Sequence, residues 1–159
     1  MQIPKKTIPF TKEKYQSMQD KVAGLLALRV EVMERLITAR EMGDLSENGA
    51  YKYAKFELGN IGRELKKYQG LLDSGFIRER SSSSQTIIVF GSIVTLARTD
   101  NSDKIQTFTV VSKHESNPVE GLLSFSSPMG KAVMRKKQGE TIIVTTPRGE
   151  VSYRIITVS

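Results

Sequence analysis

The sequence predicts an α+β protein, with an N-terminal antiparallel α-helical coiled-coil hairpin followed by a small α+β domain. Two observations predict this class. Apolar residues recur at the three-and-four spacing of heptads through most of residues 12–72, which is typical of paired helices. β-branched residues and alternating patterns then dominate residues 87–158, which is typical of strands. We therefore expect a hairpin at 1–77, a linker at 78–85 and an α+β domain at 86–159.

The composition limits the function classes. The 159 residues carry 24 Lys+Arg and 17 Asp+Glu, and the net charge of +7 favours an acidic partner, either nucleic acid or protein. The lack of cysteine excludes disulfides, a thiol nucleophile and a Cys-ligated metal. No apolar run is long enough to span a bilayer, and the polar start does not resemble a signal peptide. A cytoplasmic protein with no membrane partner is expected.

The first helix is predicted to follow an extended lead-in at Ile3–Phe10, which contains two prolines, and to have Thr11 as its N-cap. Its apolar positions step by three and four, with Arg29 at the one skipped position. These positions are Tyr15, Met18, Val22, Leu25, Val32, Leu36 and Ala39.

The second helix has an unbroken heptad series, formed by Tyr51, Ala54, Leu58, Ile61, Leu65, Tyr68 and Leu72. Two such helices joined by a short link imply an antiparallel hairpin, and arms of about 30 residues give a rod about 45 Å long. Periodicity alone favours a structural spacer or a dimerisation arm. Because an antiparallel hairpin closes its own seam, a monomer is expected.

The link between the helices, at residues 41–47, is acidic and has two interpretations. Asp44 and Glu47 have the spacing of a capping box at the start of the second helix. Alternatively, these two carboxylates bind a divalent metal, since oxygen ligands suit hard cations such as Mg²⁺. Two carboxylates at an exposed tip make a poor site alone, so another macromolecule would have to supply the cavity and the remaining ligands.

Residues 39–51 have the pattern Ala-Arg-Glu-x-Gly-Asp-Leu-x-Glu-Asn-x-x-Tyr, which resembles the tip signature of the bacterial GreA/GreB transcript cleavage factors. The resemblance implies a hairpin that enters the secondary channel of RNA polymerase. It implies that Asp44 and Glu47 help to hold a Mg²⁺ ion and a water there, so that backtracked RNA is cleaved and arrested complexes resume. Such a protein is not an enzyme by itself.

Two positions depart from the family pattern. Family members commonly have a glutamate immediately before the tyrosine, whereas this chain has Ala50, and Gly49 is also unusual. These departures keep open an alternative, which is a channel-binding regulator or inhibitor of the same fold without cleavage activity. A third hypothesis is a coiled-coil adaptor whose C-terminal domain binds another protein.

Three cations lie close to the tip. Arg40, Lys52 and Lys55 form either a solvated helix face or contacts with the phosphates of the nascent RNA 3′ segment. Tyr51 opens the second heptad series and is interpreted first as a packing residue and second as a stacking platform.

The C-terminal half is predicted to be an antiparallel sheet with one helix on a face. Ser127 is the expected N-cap and Pro128 the first residue of the short helix, which covers Met129 to Arg135. The predicted strands are Ile87 to Leu96, Ile105 to Ser112, Leu122 to Phe125, Thr141 to Thr146 and Val151 to Val158.

Three stretches of this half also resemble the GreA/GreB family, namely Phe90 to Val94, Ser127 to Ala132, and Gly139-Glu140 leading to Thr146 to Glu150. The resemblance implies an FKBP-like domain that docks on the polymerase rim, with Ser127, Pro128 and Lys131 as docking candidates. The cations at Lys131 and 135–137 form either a solvated helix face or a partner-binding face.

Overall fold

A computed structural model describes residues 6–43, 47–79, 87–101 and 103–159 of the chain. The chain divides into two compact units. The first comprises Glu13–Phe76 with the residues up to Ile8, and the second comprises Pro9–Lys12 and Ile77–Ser159. Residues 80–86, which include most of the expected linker, lie outside the described residues. No helix in the described ranges is both long enough and apolar enough to cross a membrane.

The first unit contains the predicted helical hairpin. Helix α1 spans Lys12–Glu41 and helix α2 spans Gly49–Ser74. The heptad positions of both helices form one apolar seam, and Arg29 at the skipped position is exposed. The central cluster of the seam has Leu25, Val32, Ala54, Ile61 and Leu65 buried and Val22, Leu36, Leu58 and Tyr68 half-buried, and the heptad residues Met18 and Ala39 are buried as well.

Polar contacts fix the antiparallel direction of the two helices. Lys21 forms an ion pair with Glu64 at 3.8 Å, and Arg35 Nη2 donates a 3.1 Å hydrogen bond to Glu57. As the residue number rises along α1, the number of its partner on α2 falls, as an antiparallel pair requires. The hairpin prediction is confirmed.

Two short strands, which the sequence pattern did not predict as a pair, flank the hairpin. Strand β1 spans Ile8–Phe10, strand β2 spans Gly75–Ile77, and together they form a two-stranded sheet. The part of the expected lead-in before Lys6 lies outside the described residues. The pairing was missed because its partners are more than 60 residues apart, and three-residue strands have no period to detect.

The second unit contains a five-stranded sheet in the order β5-β4-β3-β7-β6. Strand β3 pairs antiparallel with β4 and β7, and β6 pairs antiparallel with β7, whereas β4 and β5 are parallel. The expectation of a wholly antiparallel sheet was therefore wrong. The bounds are β3 Ile93–Arg98, β4 Ile105–Val111, β5 Leu122–Ser124, β6 Thr141–Thr146 and β7 Gly149–Val158.

The parallel pair has a local cause. After β4 the chain makes a short 3-10 turn at Pro118–Glu120, capped by Asn117 and closed by Gly121 at φ +71°. It then returns alongside β4, in a register that pairs Thr109 with Leu122. A hairpin would have reversed the strand, whereas this longer crossover does not.

One helix packs on the sheet, as predicted. Helix α3 spans Pro128–Val133, and Ser127 is its N-cap because the Ser127 hydroxyl accepts a hydrogen bond from the Gly130 N–H at 3.0 Å. The core beneath it consists of Ile88, Val94, Leu96, Val110, Val133, Ile142, Val144, Tyr153 and Ile155. An α+β domain thus follows the hairpin, which confirms the predicted fold class.

Candidate functional site at the hairpin tip

The tip begins where α1 ends, at Glu41. The Met42 N–H donates to the Ala39 carbonyl at 3.3 Å, and Gly43 has φ +114°, a conformation that favours glycine. Asp44, with residues 45 and 46, lies outside the described residues. The chain is described again at Glu47, two residues before α2.

Asn48 joins the two helices at the tip. Its side-chain oxygen accepts a hydrogen bond from the Tyr51 N–H at 3.0 Å, so that Asn48 is the N-cap of α2. Its side-chain amide donates to the Ala39 carbonyl oxygen at 2.6 Å. One side chain therefore satisfies an orphan donor of α2 and adds a second donor to a carbonyl in the last turn of α1.

This geometry corrects the capping-box interpretation. Because α2 begins at Gly49 and is capped by Asn48, Glu47 precedes the cap instead of occupying the third helical position. Asn48 was given no role from sequence, although Asn is among the strongest N-cap residues. The cap was predicted at Asp44, with Glu47 as its partner, because the spacing of these two residues also fits a capping motif.

Glu47 is exposed and makes no hydrogen bond or ion pair with the other described residues. The first turn of α2 contains no acidic residue, in agreement with the departures at Gly49 and Ala50. Throughout the described ranges, no group of three or more His, Cys, Asp or Glu side chains is placed to hold a metal ion. The described part of the tip offers one carboxylate to a ligand and does not by itself form a metal site.

The three cations predicted near the tip are all exposed. Arg40 lies in the last turn of α1, and Lys52 and Lys55 lie in the first two turns of α2. Tyr51 is half-buried at the end of the heptad seam, which agrees with a packing role.

The predicted docking residues lie around α3. Pro128 and Lys131 are exposed. The Ser127 hydroxyl is committed to the fold, because it caps α3 and donates to the Ser124 carbonyl oxygen at 2.7 Å.

Comparison with known proteins identifies the family. Residues 8–75 match the family model described as "Transcription elongation factor, N-terminal", and residues 83–159 match "Transcription elongation factor, GreA/GreB, C-term". The chain is 32% identical over 154 residues to transcription elongation factor GreA of Bacillus cytotoxicus, covering 96% of this chain and 97% of that protein. It is 32% identical to GreA of Maridesulfovibrio salexigens over 152 residues, covering 96% and 94%.

The GreA factor homolog 1 (Gfh1) of Thermus thermophilus is 25% identical to this chain, with a TM-score of 0.43, and covers 96% of this chain and 98% of its own. Matches to both family models and about one third identity to GreA proteins over almost the whole length show that the chain belongs to the GreA/GreB family of transcription elongation factors.

Proposed function

We propose that this chain binds bacterial RNA polymerase, inserts the hairpin tip into its secondary channel and stimulates Mg²⁺-dependent cleavage of backtracked RNA. Arrested elongation complexes would then resume synthesis from the new 3′ end. Membership of the GreA/GreB family supports this function. The single observation that carries it is that Glu47 is an exposed carboxylate at the tip and forms no hydrogen bond or ion pair with the other described residues.

A carboxylate at a helix boundary usually has a structural reason to be there, as a cap or beside the helix dipole. Here Asn48 supplies the cap and the bond across the tip. Glu47 is therefore available to a ligand supplied from outside the chain. The hairpin places it where two rigid helices meet, which suits delivery into a channel.

The chemistry of the tip fits Mg²⁺ as a shared ion. Mg²⁺ takes carboxylate oxygens, commonly one or two of them, and completes its shell with water and phosphate. Glu47 supplies one such group and Asp44 is the proposed second. Because the described residues hold no larger ligand cluster, the polymerase would provide the rest of the site. When bound between enzyme and tip, the ion would polarise the scissile phosphate and favour the ionisation of a water.

The chain is accordingly not an enzyme in this account. Glu47 and Asp44 orient the ion and the attacking water, while the polymerase holds the RNA. Arg40, Lys52 and Lys55 contact phosphates of the displaced RNA 3′ segment. Such contacts position the RNA without selecting its sequence.

The C-terminal unit is proposed to dock on the polymerase through the exposed Pro128 and Lys131. Ser127 contributes indirectly, since its hydroxyl holds the start of α3. The protein is proposed to act in the cytoplasm together with the polymerase. It is proposed to be a monomer, because the hairpin buries its own seam.

The alternative function is a channel-binding regulator that does not stimulate cleavage. The specific observation in its favour is the first turn of α2, which has Gly49 and Ala50 and no acidic residue. A tip with less negative charge would bind a shared cation less strongly. Both functions use the same hairpin and docking domain.

One experiment separates the two functions. The protein is added to a stalled, backtracked elongation complex with Mg²⁺, and the RNA is followed on a sequencing gel. Short 3′ fragments, followed by renewed extension, support the cleavage factor. Slowed nucleotide addition without fragments supports the regulator, and a failure to bind polymerase rejects both.

A further inference from the structure

The outer face of α2, on the side away from the heptad seam, has an unusual composition. Two aromatic side chains, Tyr53 and Phe56, are each 64% exposed. They are three positions apart on the helix, so their Cβ atoms are neighbours at about 5–6 Å. Neither belongs to the seam, because both lie between the heptad positions Tyr51, Ala54 and Leu58. Exposed aromatic rings in close pairs commonly mark a binding surface.

The cations of α2 around these rings outnumber the carboxylates. Between Gly49 and Gly70 the acidic residues of α2 are Glu57 and Glu64, and both are paired with cations of α1. The cations on α2 itself are not needed for those pairs. Five of them are exposed along the helix, namely Lys52, Lys55, Arg63, Lys66 and Lys67.

Arg63 extends this surface back towards the rings. Its Nη1 lies 3.6 Å from the position that a Cβ atom at Gly59 would take, so the guanidinium covers the bare backbone there. A hydrogen bond from Arg63 to Asn60 holds it in that position. Gly59 is one turn after Phe56, which places a fixed cation one turn from an exposed ring.

We propose that Tyr53 and Phe56 are a base-stacking platform for single-stranded RNA, with Lys52, Lys55 and Arg63 contacting its phosphates. Exposed aromatic rings among cations form the combination by which proteins bind single strands without sequence preference. The observations favour RNA over a protein partner, because an apolar protein surface would leave the neighbouring cations without counter-charges. They favour a single strand over a duplex, because the bases of a duplex are not free to stack on side chains.

The inference deepens the RNA contact of the proposed function, yet it is tested without polymerase. The full chain is titrated into a fluorescein-labelled single-stranded RNA oligonucleotide of mixed sequence, and binding is followed by fluorescence anisotropy. The double variant Tyr53→Leu/Phe56→Leu keeps apolar, helix-forming side chains but removes the rings. We expect at least about fivefold weaker binding for each ring that stacks on a base.

The control removes equally exposed apolar side chains from the other helix. Val30 and Ile37 of α1 are 60% and 52% exposed, and Val30→Ala/Ile37→Ala should leave RNA affinity unchanged. Lys52→Gln should weaken RNA binding and reduce the dependence of log affinity on log salt by about 0.7, the value for one lost phosphate contact on a single strand. An oligonucleotide with abasic sites should bind the parent as weakly as normal RNA binds the leucine variant.

Three outcomes would overturn the inference. One is equal RNA affinity of the leucine variant and the parent. Another is full affinity of the parent for the abasic oligonucleotide, which would show that phosphate contacts account for all of the binding. The third is an absence of RNA binding by the parent, and loss of polymerase binding in the leucine variant would then identify a protein-docking surface. None of these results decides the proposed function, which is judged by cleavage with tip variants that retain both rings.

Discussion

The side-chain amide of Asn48 lies 2.6 Å from the carbonyl oxygen of Ala39, so the end of α1 and the start of α2 share one side chain. This bond joins the two helices at the tip of the hairpin, where the heptad seam ends. It fixes the backbone immediately after Glu47. The position of the proposed catalytic carboxylate therefore depends on a residue that has no charge.

Replacing Asn48 by alanine should lower the free energy of unfolding of the hairpin by about 2 kcal/mol, the sum of a lost N-cap and a lost interhelical hydrogen bond. Denaturant unfolding followed by helical circular dichroism measures the change. Asn48→Ser is the control, because serine caps a helix but is too short to reach Ala39. It should lose about half as much. Equal stability of all three proteins would show that the bond contributes nothing.

Two glycines should respond in opposite ways to alanine. A Cβ atom at Gly130 would lie 1.9 Å from the Ser124 carbonyl oxygen, so Gly130→Ala must displace backbone and should destabilise the second unit by about 1–3 kcal/mol. A Cβ atom at Gly62 in α2 meets nothing within 4 Å, so Gly62→Ala should stabilise the hairpin by about 1 kcal/mol. Thermal unfolding of the two variants measures both effects. A stable Gly130→Ala protein would contradict the packing described for α3.

A buried carboxylate holds the segment before α1 within the second unit. Glu115 is only 7% exposed and accepts hydrogen bonds from the Thr11 hydroxyl at 2.5 Å, the Thr11 N–H at 3.3 Å and the Ser112 hydroxyl at 3.3 Å. Glu115→Gln should cost about 2 kcal/mol, because an NH2 group replaces one acceptor oxygen and the remaining hydrogen bonds lose their charged acceptor. The matched control is Glu120→Gln at an exposed position, which should change stability by less than about 0.5 kcal/mol. Urea unfolding compares the two, and similar effects would refute the role of Glu115.

The Asp100 carboxylate should titrate at a lower pH than usual. Hydrogen bonds from the Arg98 guanidinium, including Nε to Oδ1 at 2.8 Å, hold the pKa of Asp100 below its ordinary value. Because the folded-state pKa is lowered, any stabilisation is present above the unfolded-state pKa and is lost as pH falls through the folded-state pKa. Arg98→Gln should raise the pKa of Asp100, as measured by carboxyl carbon NMR, and Lys104→Gln should raise it less. An unchanged pKa in Arg98→Gln would contradict this assignment.

The spacing of apolar residues along the sequence was sufficient to predict the hairpin, because all the heptad residues of a helix lie on the same face. Leu25, Val32, Ile61 and Leu65 could be assigned to the core without knowing the partner helix in advance. The strand β6 was predicted at its observed bounds for the same reason, since alternation from Thr141 to Thr146 has one buried face. Family resemblance through residues 39–51 then connected the hairpin to RNA polymerase.

Features that depend on residues distant in the sequence could not be predicted from apolar spacing. The predicted strand from Ile87 actually begins at Ile93, because the chain turns at Phe90 and Gly91, where Gly91 has φ +86°. The parallel register of β5 depends on a crossover that has no periodic signal. At the tip, Asp44 and Asn48 were both chemically suitable caps. The choice between them depended on where α1 ended and which carbonyl lay across the turn.

The most direct test of the central claim uses the tip carboxylates. Asp44→Ala and Glu47→Ala are each added to a backtracked elongation complex with Mg²⁺, and 3′ fragment release is measured beside binding to polymerase. We expect stimulated cleavage to be lost in both variants, while polymerase binding and hairpin helicity persist. Cleavage by both variants at the rate of the parent protein would contradict a catalytic role of the tip carboxylates.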